Sequence, residues 1–156
     1  MTSNKETDTK WKKISSILGI ISVLLAFMLG YATYVTPDYS IYLKDISDTR
    51  PSNCDVYNTL YIENLHWLKP YNYPIILDAT VINESNPTSP DIDVAFDPLG
   101  SNEGAYFTSR VAIKIGHALR DGRYKIRFLA IGGDGKERSC TYILNIKNAE
   151  PTSNDE

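Results

Sequence analysis

Two histidines, His66 and His117, and two cysteines, Cys54 and Cys140, are the side chains of this 156-residue chain best suited to chemistry near neutral pH. They are scattered along the sequence and fall in no zinc-ligand spacing. A Ser-His-Asp site would need a nucleophile turn such as G-x-S-x-G, and the chain contains none. Three acids, Asp91, Asp93 and Asp97, alternate in PDIDVAFD. Calcium takes six to eight oxygens, and strand-edge carboxylates supply some of them. The same alternation places Asp91 and Asp93 on one outer face, which suits a solvated sheet as well. No metal or cofactor is expected, and the chain reads as a binding or structural protein rather than an enzyme.

Two further groups bear on chemistry. Cys54 and Cys140 share the parity of the inward residues on their own segments, Val56 and Leu60 in one case, Tyr142 and Leu144 in the other. In an oxidising compartment they are expected to form a disulfide, with two free buried thiols as the alternative. Asn83-Glu84-Ser85 matches the N-glycosylation triplet, so Asn83 is a candidate acceptor.

These residues need elements to hold them, and the first is a span. Residues 14–35, ISSILGIISVLLAFMLGYATYV, hold no charge over 22 positions. About 20 apolar residues in helix cross a bilayer core. Lys10, Lys12 and Lys13 precede the run and the next basic residue is Lys44, which puts the N-terminus in the cytoplasm and the remainder outside. Trp11, Tyr31 and Tyr34 suit the two interfaces. A cleaved signal peptide is the competing reading, with small residues flanking Tyr31, but its apolar core is usually about 7–15 residues. Ser15, Gly19, Ser22, Ala26 and Gly30 follow helical spacing and form a small-residue face on which a second helix can pack.

After Pro37 the periodicity changes to that of strands. Seven are expected, at 40–44, 56–63, 74–82, 92–96, 109–115, 123–131 and 138–146, with turn residues between them. Gly132-Gly133-Asp134-Gly135 marks a hairpin between the last two. Seven strands in roughly 110 residues match an all-β, immunoglobulin-like sandwich of two sheets preceded by one transmembrane helix. The expected organisation is an arm at 1–13, a transmembrane helix at 14–35, the sandwich at 36–147 and a polar, disordered tail at 148–156.

The stretch FTSRVAIKIG…DGRYKIRFLAIGGDGKERSCTYILNI, with YPIILDATVINESNPTSPDIDVAFDP before it, resembles bacterial and archaeal immunoglobulin-like or fibronectin-like surface domains. The resemblance runs from about Tyr57 to Ile146 and implies a spacer, adhesion or assembly module without naming a ligand. It departs from antibody-type domains, because Leu60 or Ile62, Leu77 and Ile126 stand where a disulfide and its packed Trp would be. Tyr124, after Asp121-Gly122, is placed to form a tyrosine corner.

In such a sandwich the first strand starts at the end that carries the loop after the second strand and the hairpin before the last. Those loops are therefore expected to face the membrane. The loop NLHWLKPYNY offers His66, Trp67, Tyr71 and Tyr73, and the hairpin offers Asp134, as candidate partner contacts. Trp and Tyr suit a lipid headgroup layer or a protein interface. Trp67 and Leu68 plugging the open end of the sandwich is the structural alternative. Residues 1–13 hold four lysines and two acids, leaving twelve basic and seventeen acidic residues beyond. No basic stripe exists, which excludes nucleic acid as a partner class. The expected function is a single-pass, membrane-anchored extracytoplasmic binding or scaffold module. Its partners are the bilayer through 14–35, and another membrane or envelope protein or a second copy. A small ligand-binding or sensory ectodomain and a cleaved, secreted adhesion domain are the alternatives.

Overall fold

The computed structural model describes residues 3–83, 91–116 and 119–148, with only the backbone of residues 3–10 and Asn83. His117, Glu84 and Ser85, the Asn83 side chain and most of the expected tail lie outside the described residues. Two compact units meet between Thr36 and Pro37. The first is α1, Ser3–Tyr34, whose apolar part runs Trp11–Tyr34 over 24 residues, about 36 Å of helix. None of that stretch is buried, and Trp11, Val23, Phe27 and Leu29 are each about 70% exposed. Its hydroxyls bond backward along the helix: Ser22 Oγ donates to the Leu18 carbonyl at 2.8 Å and Thr33 Oγ1 to that of Leu29 at 2.8 Å. Such bonds satisfy polar groups without water, as a lipid medium demands.

The second unit is a two-sheet, immunoglobulin-like β-sandwich. Its strands are β1 Tyr39–Leu43, β2 Ser47–Arg50, β3 Val56–Asn64, β4 Ile75–Asn83, β5 Ile92–Asp97, β6 Gly100–Ser101, β7 Tyr106–Ile115, β8 Gly122–Gly132 and β9 Glu137–Ile146. One sheet has the order β1-β3-β7-β5 and the other β2-β9-β8-β4-β6. All seven expected strands form. The two additional ones, β2 and β6, are short, and their sequences SDTR and GS carry no apolar alternation by which to find them.

Alternation builds the core. Leu60 and Ile62 of β3, Val111 and Ile113 of β7, Ile126 and Phe128 of β8, and Leu144 of β9 are fully buried between the sheets. Full burial of such a side chain contributes roughly 1.5–3 kcal/mol. Phe96 meets Phe128 edge to face across the core, with ring centroids 5.9 Å apart. The expected tyrosine corner is present, with Tyr124 Oη donating to the Arg120 carbonyl at 2.9 Å.

At both margins of the sandwich the chain crosses from one sheet to the other. β1 lies in the first sheet and β2, parallel to β9, in the second. β5 and β6 repeat the crossing across the cis peptide Asp97-Pro98. Crossing strips backbone groups of their ladder partners, and a buried polar side chain answers at each place. Asn58 Nδ2 donates to the Asp45 carbonyl at 2.7 Å, and its Oδ1 accepts from Asp45 N–H at 3.3 Å. Ser109 Oγ donates to the Pro98 carbonyl at 2.7 Å. Asn58 and Ser109 are the two buried polar residues among those described.

The expected disulfide is not formed, and both cysteines are free. Cys140 lies opposite Phe128, six residues before the end of β9, partly buried against the core. Cys54 is exposed just before β3, at the end of the sandwich where β9 finishes. Shared parity put both on inward faces, but six strand residues are about 20 Å, well beyond the roughly 7 Å a disulfide tolerates between Cα atoms. Burial pushes the Cys140 thiol up to about 11 and holds it protonated.

Replacing Asn58 with Ala leaves the Asp45 backbone groups unpaired where β1 becomes β2, and the expected cost is about 1–3 kcal/mol. Urea unfolding monitored by circular dichroism measures it, and the Thr59→Ala control on the same strand is expected to change stability by less than about 1 kcal/mol.

Candidate functional site

The chain enters the sandwich at Tyr39, opposite Asn64, where β3 ends. β4 starts at Ile75 opposite Gly132, where β8 ends. The 65–74 loop and the 133–136 hairpin therefore lie together at the end where the chain arrives, as the strand order predicts.

Tyr71 organises this end. It is fully buried. Its N–H donates to Asn64 Oδ1 at 2.7 Å, and its carbonyl accepts from Ala105 N–H at 2.9 Å. Its hydroxyl donates to the Asp134 carboxylate in the hairpin. Its ring lies 4.6 Å from that of Tyr39 and 5.3 Å from that of Tyr73, centroid to centroid. Lys136 places its ammonium 5.7 Å from the ring centre and also donates to the Pro37 carbonyl. Two glycines make room. A Cβ on Gly132 would overlap the Tyr71 hydroxyl, and one on Gly104, at φ +97°, would overlap the Tyr71 carbonyl.

Tyr39 is the second anchor. Its hydroxyl lies 2.9 Å from the Ala130 carbonyl and 2.8 Å from that of Lys136, and its one proton is shared between them. Burial pushes this phenol up to about 12. Burial and the Asp134 bond raise the Tyr71 phenol as well. Arg138 closes the cluster by an ion pair with Asp38.

The five candidate contacts therefore separate. Tyr71 has no solvent-exposed surface to offer a partner, and it fills the plugging role that the structural alternative gave to Trp67 and Leu68. Asp134 is committed to Tyr71 and to Lys136 N–H. His66 is half-buried in the turn closed by Lys69 N–H to the His66 carbonyl at 3.2 Å. Trp67 is 78% exposed and Tyr73 49%, and they remain available. Leu65 and Leu68, 53% and 37% exposed, join Trp67 on the same loop. Sequence reasoning missed Asp38, Lys136 and Arg138, because only the strand register shows that the arriving chain meets the hairpin. The small-residue face of α1 is open: nothing lies within 4 Å of a Cβ built on Gly19 or Gly30. No group of acids, His and Cys that would hold a metal ion occurs among the described residues.

No family model matches the chain and no curated protein matches it. Among solved structures it is similar to the E. coli chaperone DraB, at 16% identity and a TM-score of 0.51, over 70% of this chain and 55% of that one. It is also similar to the periplasmic chaperone SfaE, at 8% identity and a TM-score of 0.54, over 72% of this chain and 59% of that one. This chain thus spans less than two thirds of either. At these identities the likeness is one of fold.

Asp134 is held below the usual carboxylate range, first by the Tyr71 hydrogen bond and then by Lys136. Burial raises Asp38, but the Arg138 hydrogen bond and charge outweigh it and leave this group lowered too. A depressed folded pKa contributes stability above the unfolded value, near 3.9 for Asp, that is lost as pH falls through the folded value. The melting temperature is expected to hold down to about pH 5 and to decline below about pH 4. Asp134→Asn should flatten that decline, and a melting series in both proteins checks it. Tyr71→Phe removes a hydrogen bond to a charged group and is expected to cost about 1.5–3 kcal/mol at neutral pH.

Proposed function

We propose that this chain is a membrane-anchored, extracytoplasmic binding or scaffold module, without catalytic function, that docks onto another membrane or envelope protein through its 65–74 loop. The observation that carries the reading is Trp67, which stands 78% exposed beside Leu65 and Leu68 on a loop whose base is fixed by fully buried Tyr71. Exposed apolar clusters mark interaction sites, and Trp is a frequent anchor of interfaces. Because the base is already ordered, docking loses little further conformational entropy.

Anchoring rests on α1. None of its apolar stretch is buried, and the Ser22 and Thr33 hydroxyls bond within the helix. The lysines before it favour a cytoplasmic N-terminus. Residues 35–38 are the whole connection between helix and sandwich, a reach of about 14 Å when extended. A partner that is itself in the membrane is therefore the natural one. The open face at Gly19 and Gly30 gives such a partner, or a second copy, a surface for a helix. DraB and SfaE are both chaperones and SfaE is periplasmic, which fits an exported protein-handling domain.

The test combines topology and contact. Alkaline extraction is expected to leave the full-length mass in the membrane pellet, and protease added from outside to degrade the sandwich. A photo-crosslinker at position 67 is expected to trap one membrane protein, and Trp67→Ala to lower recovery of that complex about tenfold or more. A mature mass that begins near residue 32 would replace the anchor by a signal peptide and favour a secreted adhesion domain. Crosslinks to its own chain alone would replace the heterologous partner by a homodimer.

A further inference from the structure

The outer face of the β1-β3-β7-β5 sheet carries a second feature, remote from the Trp67 loop. Register aligns its outward residues in rows. Tyr57, Ala112 and Ala95 form one row across β3, β7 and β5, and Thr59, Arg110 and Asp97 form the next. Lys44 joins the second row, with its N–H donating to the Thr59 carbonyl at 2.9 Å. Ala112 on central β7 and Ala95 on edge strand β5 are small, whereas Tyr57, Arg110 and Lys44 beside them are long, and together they line a trough of about 510 Å³. That volume lies in the range of small-ligand sites.

Folding does not require this hollow. Ala is depleted in strands, and an outward face does not contribute to the core. Ala95 and Ala112 are nevertheless direct cross-strand neighbours there. Tyr57, the cross-strand neighbour of Ala112, is 75% exposed and lines the same trough. Arg110 and Asp97 are also cross-strand neighbours, yet among the described residues neither they nor Lys44 and Asp45 hold an ion pair. Their donors and acceptors remain open to a ligand. One row further, Tyr61 stacks on Tyr42 with ring centroids 5.1 Å apart and planes 9° apart, and the Tyr42 hydroxyl is fixed by Glu63 at 2.6 Å. The aromatic surface thus continues beyond the trough.

The lining selects the chemistry. Lys44 and Arg110 offset Asp45 and Asp97, so no net charge draws an anion or a cation. Hydroxyl groups donate and accept at once and use guanidinium, ammonium and carboxylate together. An aromatic wall and an alanine floor ask for an apolar face on the same ligand. A pyranose ring has both, with C–H bonds on its faces and hydroxyls at its edge. We propose that this trough binds a neutral glycan, with one pyranose unit on Ala95 and Ala112 against Tyr57 and its hydroxyls bonded to Arg110, Asp97 and Lys44. The site does not depend on the Trp67 loop or on the anchor.

The test titrates the full chain, in a zwitterionic detergent free of sugar, with cellotriose, maltotriose and chitotriose, and with a uronic acid trimer for comparison. Saturable binding of at least one neutral trisaccharide, insensitive to salt, is expected. Tyr57→Ala and Ala95→Leu should each weaken it about tenfold, the first by removing the ring contact and the second by filling the floor. Both positions are exposed, and an unchanged melting temperature confirms that the fold is kept. Trp67→Ala should leave glycan binding unaltered, which separates this site from the docking loop. Failure of all three neutral probes to saturate overturns the proposal. So does binding indifferent to Tyr57→Ala and Ala95→Leu, or binding confined to the uronic acid trimer and lost with salt.

Discussion

The end of the sandwich where the chain arrives depends on one buried hydroxyl. Tyr71 Oη meets Asp134 while the ring above it packs on Tyr39 and Tyr73, and the backbone below it bonds Asn64 and Ala105. The 65–74 loop, the 133–136 hairpin and the turn before β7 therefore converge on a single side chain. A phenol with no solvent exposure needs a partner for its proton. A carboxylate is a strong acceptor for it, and Asp134 keeps enough exposure to stay charged. Gly132 and Gly104 exist at their positions because a side chain at either would collide with this residue. The consequence for function is mechanical. With the base of the loop fixed, Trp67 is held out in solvent instead of folding back onto the end of the sandwich.

The same logic of satisfying each buried group governs the two margins. A strand that leaves one sheet for the other would strand its N–H and carbonyl groups in the interior. Asn58 replaces a ladder partner for Asp45 on one side, and Ser109 does so for Pro98 on the other. Both belong to central strands whose other inward positions are apolar, so each interrupts the core where the chain crosses. The crossings leave β2 and β6 as short edges, four and two residues long, which offer little template for pairing with another chain.

The sequence carried more of the fold than of the sites, for a physical reason. A strand with a buried face announces itself by alternation, and VYNTLYIE, RVAIKI and RYKIRFLAI all do so. β2 and β6 bury almost nothing and leave no such mark. Parity gave an inward face for Cys140, which packs against the core, but not for Cys54, which is exposed before β3 begins, and it said nothing of height along the strands, which keeps the two apart. Tyr71 and Trp67 stand four residues apart in one aromatic-rich loop and look equivalent in sequence. What ties Tyr71 into the interior while Trp67 stays exposed is Asp134, which is 63 residues from Tyr71 along the chain. The ion pair of Asp38 with Arg138, 100 residues apart, was hidden in the same way.

The outer face of the first sheet shows how register creates information that no single strand contains. Ala95, Ala112 and Tyr57 are unremarkable in their own segments, and only the pairing of β5, β7 and β3 brings them into line. An inward position answers to packing, and its residue is explained once the core is closed. An outward position answers to solubility, to avoidance of edge pairing, or to a ligand. Solubility would favour charge at the centre of this face, and avoidance of pairing would favour charge on the edge strand β5, where Ala95 stands. Neither accounts for two facing alanines beside an exposed tyrosine and next to balanced charges that hold no ion pair among the described residues. The glycan proposed for the trough would meet this shape and charge, whereas the Trp67 loop offers an apolar surface with little charge. One small sandwich thus presents two surfaces of different chemistry, and no residue of either has to change for the other to act.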